Sequence, residues 1–266
     1  MQPDTQRHTK TGKTAPYSFS DSGKLRLAIP QSWQELSQEQ LSFVLSLMAK
    51  YSAVQVKVHL VLYFTGIRIK ECTEEGIICY VGKTLLVMKK WQWHWIVSQM
   101  SFIDNFNDYQ PIARVGNLKA VNRLLHGVSF EAYLAMEKFY QGFLRNRNTE
   151  LLEKLGRLLY VEDTGYSEDQ VFSEGERLNC FMWFAWIKDE FAGYFPNFFR
   201  PAGEAQSRSG EKDIMSRMNM QLRALTGGDI TKEATIRKMD CWRALTELDA
   251  KALDAKELKA KINSKK

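Results

Sequence analysis

The sequence predicts a mainly α fold: a multi-helix, bundle-like domain with a small β-hairpin or meander near residues 67–87 and a long C-terminal helix. Three observations carry this. Apolar residues recur three and four apart through most long segments, as on one face of a helix. Ser-x-x-Glu/Gln capping boxes punctuate the chain at Ser32, Ser37 and Ser173. A single β-branched stretch, IRIKECTEEGIICYVGKTLLV, is broken by two glycine turns.

Residues 1–24 are polar and aperiodic, with two prolines, and are expected to be a disordered tail. In AIPQSWQELSQEQLSFVL, Pro30 biases Ile29 to extended backbone. Ser37 then caps a helix carrying Leu41, Val44, Leu45 and Met48, with Leu36 and Leu41 placed as a hydrophobic staple. Trp33 rides on a short turn just ahead of it. Residues 53–65 alternate like a strand, but Gly66 stands where a helix C′ glycine belongs, and helix is preferred. Helix returns over about 88–105, breaks through Pro111 and Gly116, and is expected again over 117–126. Ser129 and Thr149 are placed to cap two further helices, with Val128 and Tyr133 forming a staple at the first. A loop near Asp163–Gln170 precedes the Ser173 box. The helix that follows is apolar almost all round and belongs at the centre of a core, with Trp183 and Trp186 buried. Residues 200–213 read as a linker. Ile214–Thr226 forms a short helix ending at Gly227-Gly228, and Thr231 caps a final helix of roughly 30 residues, about 45 Å long. The expected organisation is therefore a tail (1–24), a helical core domain (25–199), a linker (200–213) and a C-terminal helical segment (214–266).

Net charge is +6. Residues 1–26 contribute five basic and two acidic side chains and residues 200–266 fifteen and ten, leaving the middle near neutral. That distribution disfavours a nucleic-acid binder, which gathers its charge on one face. Cysteines 72, 79, 180 and 241 form no C-x-x-C pair and read as free thiols; Cys72 and Cys79 could face each other across a hairpin, but buried structural thiols are favoured. No signal peptide and no spanning segment is expected, which points to the cytoplasm. The two Gly-Lys-Thr triplets fail as P-loops: the required glycine is replaced by Arg7 in one and Ile77 in the other. The four histidines lack metal spacing, and His59 and His94 read as core or boundary residues. No nucleophile elbow is present. No catalytic, cofactor-binding or metal residue is assigned, and no cofactor is expected.

Two clusters remain. In KKWQWHWI, Trp91 and Trp95 share a face of a helix. Core or subunit packing is the favoured reading, and contact with nucleic acid through Lys89, Lys90 and Trp91 is the alternative. In the last helix, Cys241, Leu245, Leu248, Ala252 and Ala255 make a 4-3-4-3 seam. Leu245, Leu248 and Ala252 are the candidate partner-binding residues, on the chain's own body or on another protein.

The ordered pieces IPQSWQELSQEQL, VSFEAYLAMEKFYQGFLRN, LLEKLGRLLY, FPNFF and RALTGGDITKEATIRKMDCWRALTELDAKA span most of residues 28–255. In that order the chain resembles proteins encoded in phages and prophages of Bacteroides-type bacteria, in tail-morphogenesis neighbourhoods, sometimes grouped with tail assembly chaperones. After LLY the relatives tend to continue with arginine, where this chain has Val161. The resemblance implies a non-enzymatic assembly factor that shields a tail or tape-measure protein, with a small oligomer possible. It transfers no catalytic residues.

Overall fold

The computed structural model describes residues 17–19, 25–162, 171–199 and 211–264. In chain order these form β1 (Tyr17–Phe19), β2 (Leu25–Leu27), α1 (Gln38–Met48), α2 (Ala53–Thr65), β3 (Ile67–Cys72), β4 (Ile77–Val81), β5 (Thr84–Met88) and α3 (Lys90–Ser98). Then come β6 (Arg114–Val115), β7 (Leu118–Ala120), α4 (Phe130–Asn146), α5 (Glu150–Leu159), β8 (Tyr160–Val161), α6 (Glu174–Tyr194), α7 (Glu211–Thr226), α8 (Glu233–Lys238) and α9 (Cys241–Asn263). The fold is helix-rich but mixed, with three small antiparallel sheets among the described residues. Chain contacts divide it into two compact units that cross the expected boundaries. One comprises the described residues of Met1–Gln31 with Ser52–Phe102; the other comprises Ser32–Tyr51 with Ile103–Lys266.

In the first unit, α2 is the helix that Gly66 signalled. Gly66 sits at φ 66° as its left-handed cap, and Val56, Leu60, Val61 and Phe64 are buried. The meander is the antiparallel sheet β3-β4-β5. Its second turn is a two-residue loop, Gly82-Lys83, with Gly82 at φ 61°, the conformation glycine supplies at the first position of a type II′ hairpin. Part of the expected tail is ordered: Tyr17–Phe19 pairs with Leu25–Leu27, because YSF and LRL alternate with the period of a strand. The rest of 1–24 lies outside the described residues.

In the second unit, α6 is the hub, as its all-round apolarity requires. Cys180, Trp183, Phe184, Ile187 and Phe191 are fully buried. Ser173 caps α6 through a reciprocal box with Glu176, and Ser37 does the same for α1 with Gln40. A Cβ on Gly175 would stand 3.2 Å from the Ser46 backbone nitrogen, so the glycine lets the start of α6 lie against α1. The Ser32 spacing makes no cap. It leads into a 3₁₀ turn, Trp33–Glu35, that presents Trp33 to the core at 1% exposure, with its Nε1 donating to Asn105 O at 3.0 Å.

Four expectations need correction here. Residues 117–126 are not helical: Val115 pairs with Leu118 around Gly116-Asn117, with Gly116 at φ 55°, giving a two-residue hairpin to which β8 adds. Thr149 makes no cap; the Asn148 side chain accepts from the Glu150 amide at 3.0 Å instead. Residues 211–213 belong to α7, while the remainder of the linker and the loop at 163–170 lie outside the described residues. The single 30-residue helix is interrupted. Asp229 caps a short 3₁₀ turn, α8 follows, and Met239 is extended at ψ 148°. Phe130 N donates to Met239 O at 2.7 Å and Cys241 N to Val128 O at 2.8 Å. These tertiary bonds take the backbone groups that a continuous helix would have used. Asp240 then restarts the helix by accepting from the Trp242 amide at 2.9 Å, while its other oxygen accepts from Gly127 N at 2.7 Å.

Candidate functional site

The last helix divides into two halves. Along its first half, Cys241, Ala244, Leu245 and Leu248 are buried, with Leu245 at 0% and Leu248 at 4% exposure. The seam read from the sequence is therefore packed on the chain's own body, and Leu245 and Leu248 are not on offer to a partner. Ala252 is half-buried, and one turn further on Lys256 Nζ donates to Asn197 Oδ1 at 3.1 Å. Asp249 fixes this half to the FPNFF turn after α6. Its Oδ1 accepts from the Asn197 and Phe198 amides at 2.7 and 2.9 Å, and its Oδ2 accepts from Asn197 Nδ2 at 3.1 Å. Burial raises the Asp249 carboxyl, but these bonds and the charge of Lys256 outweigh it and hold the group below the usual carboxylate range.

Beyond Ala252 the helix continues for about three turns with no buried residue. At 100° per residue, Ala252, Ala255 and Ile262 fall within about 40° of Leu248, and Leu258 about 80° from it, beside Ile262. Leu258 is 61% and Ile262 52% exposed. The 4-3-4-3 spacing leads from Ala255 to Lys259, which hides Leu258 and Ile262 from a reading of the seam. The signal was a shift of one residue, Leu258 taking over beside it. Residues 250–264 carry four lysines against two acids.

On α3, Lys89, Lys90 and Trp91 are exposed, as is Trp95. Of the favoured reading, core or subunit packing, the core half does not hold for Trp91 and Trp95, while their exposure leaves a subunit contact open; Trp93 is half-buried and Ile96 buried on the other side. His59 and His94 are likewise exposed rather than core.

Burial holds several thiols and tyrosines in their neutral forms. Burial raises the thiols of Cys79 and Cys180, and burial with Asp240 nearby raises Cys241 to about 12, opposite to what a nucleophilic thiolate needs. All four cysteines are free. Cys72, expected to be buried, is exposed, since it pairs with Ile77 at the ragged end of β3. The buried polar centre of the second unit is a closed network. Asn179 Oδ1 accepts from Tyr109 Oη at 2.9 Å and from Ile112 N at 3.0 Å. Its Nδ2 donates to Tyr160 Oη at 2.7 Å, and that hydroxyl donates to Ile112 O at 2.6 Å. Burial pushes both tyrosines well above their ordinary range, so they remain neutral hydrogen-bonding groups. An open cleft of about 380 Å³ is lined by Leu222, Arg223, Thr226, Ile230 and Glu233, and the Thr226 hydroxyl donates to Arg223 O at 3.3 Å. Among the described residues no group of three or more His, Cys, Asp or Glu side chains is placed to hold a metal ion. No helix among them is long and apolar enough to cross a membrane.

The chain matches no protein-family model, no curated protein and no solved structure. Its surfaces therefore carry the functional reading. Two stand out: the distal half of α9 and the β5–α3 edge of the first unit.

Proposed function

We propose that this chain is a non-enzymatic assembly factor that holds a helical segment of another protein against the distal half of α9. The resemblance to tail-morphogenesis proteins names the partner as a phage tail or tape-measure component, met in the host cytoplasm. The observation that carries the reading is the exposed stripe of Leu258 and Ile262 on a helix whose first half is anchored. An amphipathic helix held out from a body is a ready means of capturing a partner helix. The surplus of lysines on this half favours a partner with acidic flanks.

The test is co-expression with the tape-measure protein encoded in the same neighbourhood. Leu258→Asp with Ile262→Asp is expected to abolish co-purification while shifting stability by less than about 0.5 kcal/mol, as exposed substitutions do. Leu245→Ala, by contrast, is expected to cost about 2–5 kcal/mol because its side chain is fully buried. Undiminished capture by the double variant refutes the reading.

The exposure of Trp91 and Trp95 beside Lys89 and Lys90 favours a second reading, a nucleic-acid-binding accessory protein using this cluster and the basic termini. It requires a mobility shift with single-stranded DNA or RNA that disappears steeply with salt and with Trp91→Ala.

A further inference from the structure

The sheet β3-β4-β5 has two edges, and they are treated differently. Natural proteins guard an edge strand with charges, bulges or proline, because its unpaired backbone groups are a template for another strand. The β3 edge has both of the first two devices: Arg68, Lys70 and Glu71, and a register shift between Ile69 and Glu71. The β5 edge, TLLVM, has none of them, and among the described residues β5 pairs with β4 alone.

The register fixes which groups are open. Val81 and Thr84 close the two-residue loop as a hydrogen-bonded pair, and such pairs alternate along an antiparallel ladder. Cys79 with Leu86 and Ile77 with Met88 are then the bonded pairs. Leu85 and Val87 consequently aim their N–H and C=O groups away from β4. The same two residues expose their side chains, at 50% and 64%, while Met88 on the opposite face is buried. Open main chain and open apolar side chains coincide at alternate positions, as strand addition needs.

Charge selects the occupant. Lys89, still extended at φ −66°, ψ 151°, shares the parity of Leu85 and Val87, and Lys83 in the turn flanks them at the other end. From Gly76 to Ile103 there are three lysines and no acidic residue. Pairing β5 with a second copy of itself, Leu85 opposite Val87, would bring Lys83 of each copy beside Lys89 of the other at both ends, and like charges brought together across paired strands are destabilising. A nucleic acid would use the lysines and leave the amides and the Leu85–Val87 row unmatched. We infer that the β5 edge is a docking site for an extended peptide of another protein whose sequence reads acidic–x–apolar–x–apolar–x–acidic, added antiparallel to β5. This surface is separate from α9, and its success or failure does not bear on the partner helix proposed above.

The probe is the fluorescein-labelled peptide acetyl-Asp-Thr-Val-Thr-Val-Thr-Asp-amide, titrated against the full chain by anisotropy at low salt. Saturable binding is expected. It should weaken about tenfold or more with Leu85→Lys, which guards the edge without touching the β4 ladder. It should weaken about tenfold when lysines replace both terminal aspartates. N-methylation of the two valines, whose amides face β5, should abolish binding, whereas N-methylation of the central threonine should leave it; this arm needs no protein variant. The inference is overturned by absence of binding, by equal effects of the two methylations, or by equal affinity of the lysine-ended peptide. It is also overturned if a labelled oligothymidylate binds and the peptide does not, or if Leu85→Lys instead dissolves a homodimer seen in sedimentation.

Discussion

Replacing Asn179 by alanine tests whether the buried network, rather than apolar contact alone, holds the second unit together. Asn179 has 0% exposure, and its side chain serves three partners. Alanine leaves the Ile112 amide and the Tyr109 hydroxyl without their acceptor, and a buried group left unsatisfied costs about 1–3 kcal/mol. Tyr160 loses an incoming bond but still donates to Ile112 O, so its share is smaller. Water entering the vacated space returns part of the loss. The net expectation is about 3–5 kcal/mol, seen in urea denaturation as a lower midpoint with an unchanged slope. A double-mutant cycle with Tyr160→Phe adds a second readout. Both changes break the same network, so the double variant should cost at least about 1 kcal/mol less than the sum of the singles. A loss below about 1 kcal/mol for Asn179→Ala, or strict additivity in the cycle, refutes the reasoning.

Two further outcomes follow from titratable groups. Asp249 has a folded pKa below its unfolded value of about 3.9, so its contribution is present above that value and is lost as pH falls through the lower folded one. Asp249→Asn is expected to cost about 1 kcal/mol or less at pH 7, since the carboxylate is largely solvent-screened, and the gap to the parent chain should begin to narrow as pH falls below about 4; a gap that does not shrink between about pH 5 and pH 2 contradicts this. Ellman titration of the native chain should find one fast thiol, Cys72, with Cys79, Cys180 and Cys241 reacting only after denaturation, and Cys72→Ser should remove the fast phase.

What the sequence discloses is mostly local. Ser37, Ser129 and Ser173 each cap the helix their spacing announces, and Gly66 decides the ambiguous 53–65 correctly, because a left-handed cap outweighs a run of alternating valines that also satisfies a helix face. The failures have nonlocal causes. Asp240 breaks the long helix because Phe130 and Val128 claim its neighbours' backbone groups, and no pattern within 229–263 records that. Gly116-Asn117 was a legible hairpin signal, hidden only by the shortness of the strands it joins. Asn179 is invisible as a node: one amide in an apolar helix looks like noise until Tyr109, Ile112 and Tyr160 are brought around it. The division into two units was also out of reach, since Ser32–Tyr51 joins residues that begin 52 positions later.

The candidate surfaces were hidden by averaging. Leu245 and Leu248 stand out in the sequence as a seam, yet a good apolar seam is what the chain's own body buries first. What stays open is the weaker continuation past Ala252, where lysines outnumber acids. The same holds at β5: a chain whose middle is near neutral has, from Gly76 to Ile103, no acid at all. Both open apolar rows, Leu258 with Ile262 and Leu85 with Val87, thus lie in lysine-rich stretches, although they sit on different units. Apolar area there supplies the attraction and lysine the selection, turning away strands or helices of like charge and admitting acidic ones. Capture at either surface should therefore weaken as ionic strength rises past the point where the screening length falls to about 8 Å, but only partly, since the apolar contribution remains. Nucleic-acid binding through the same lysines would fall far more steeply with salt, because phosphate contacts release counterions in proportion to their number. The salt slope therefore separates a protein partner from a nucleic acid before either is identified.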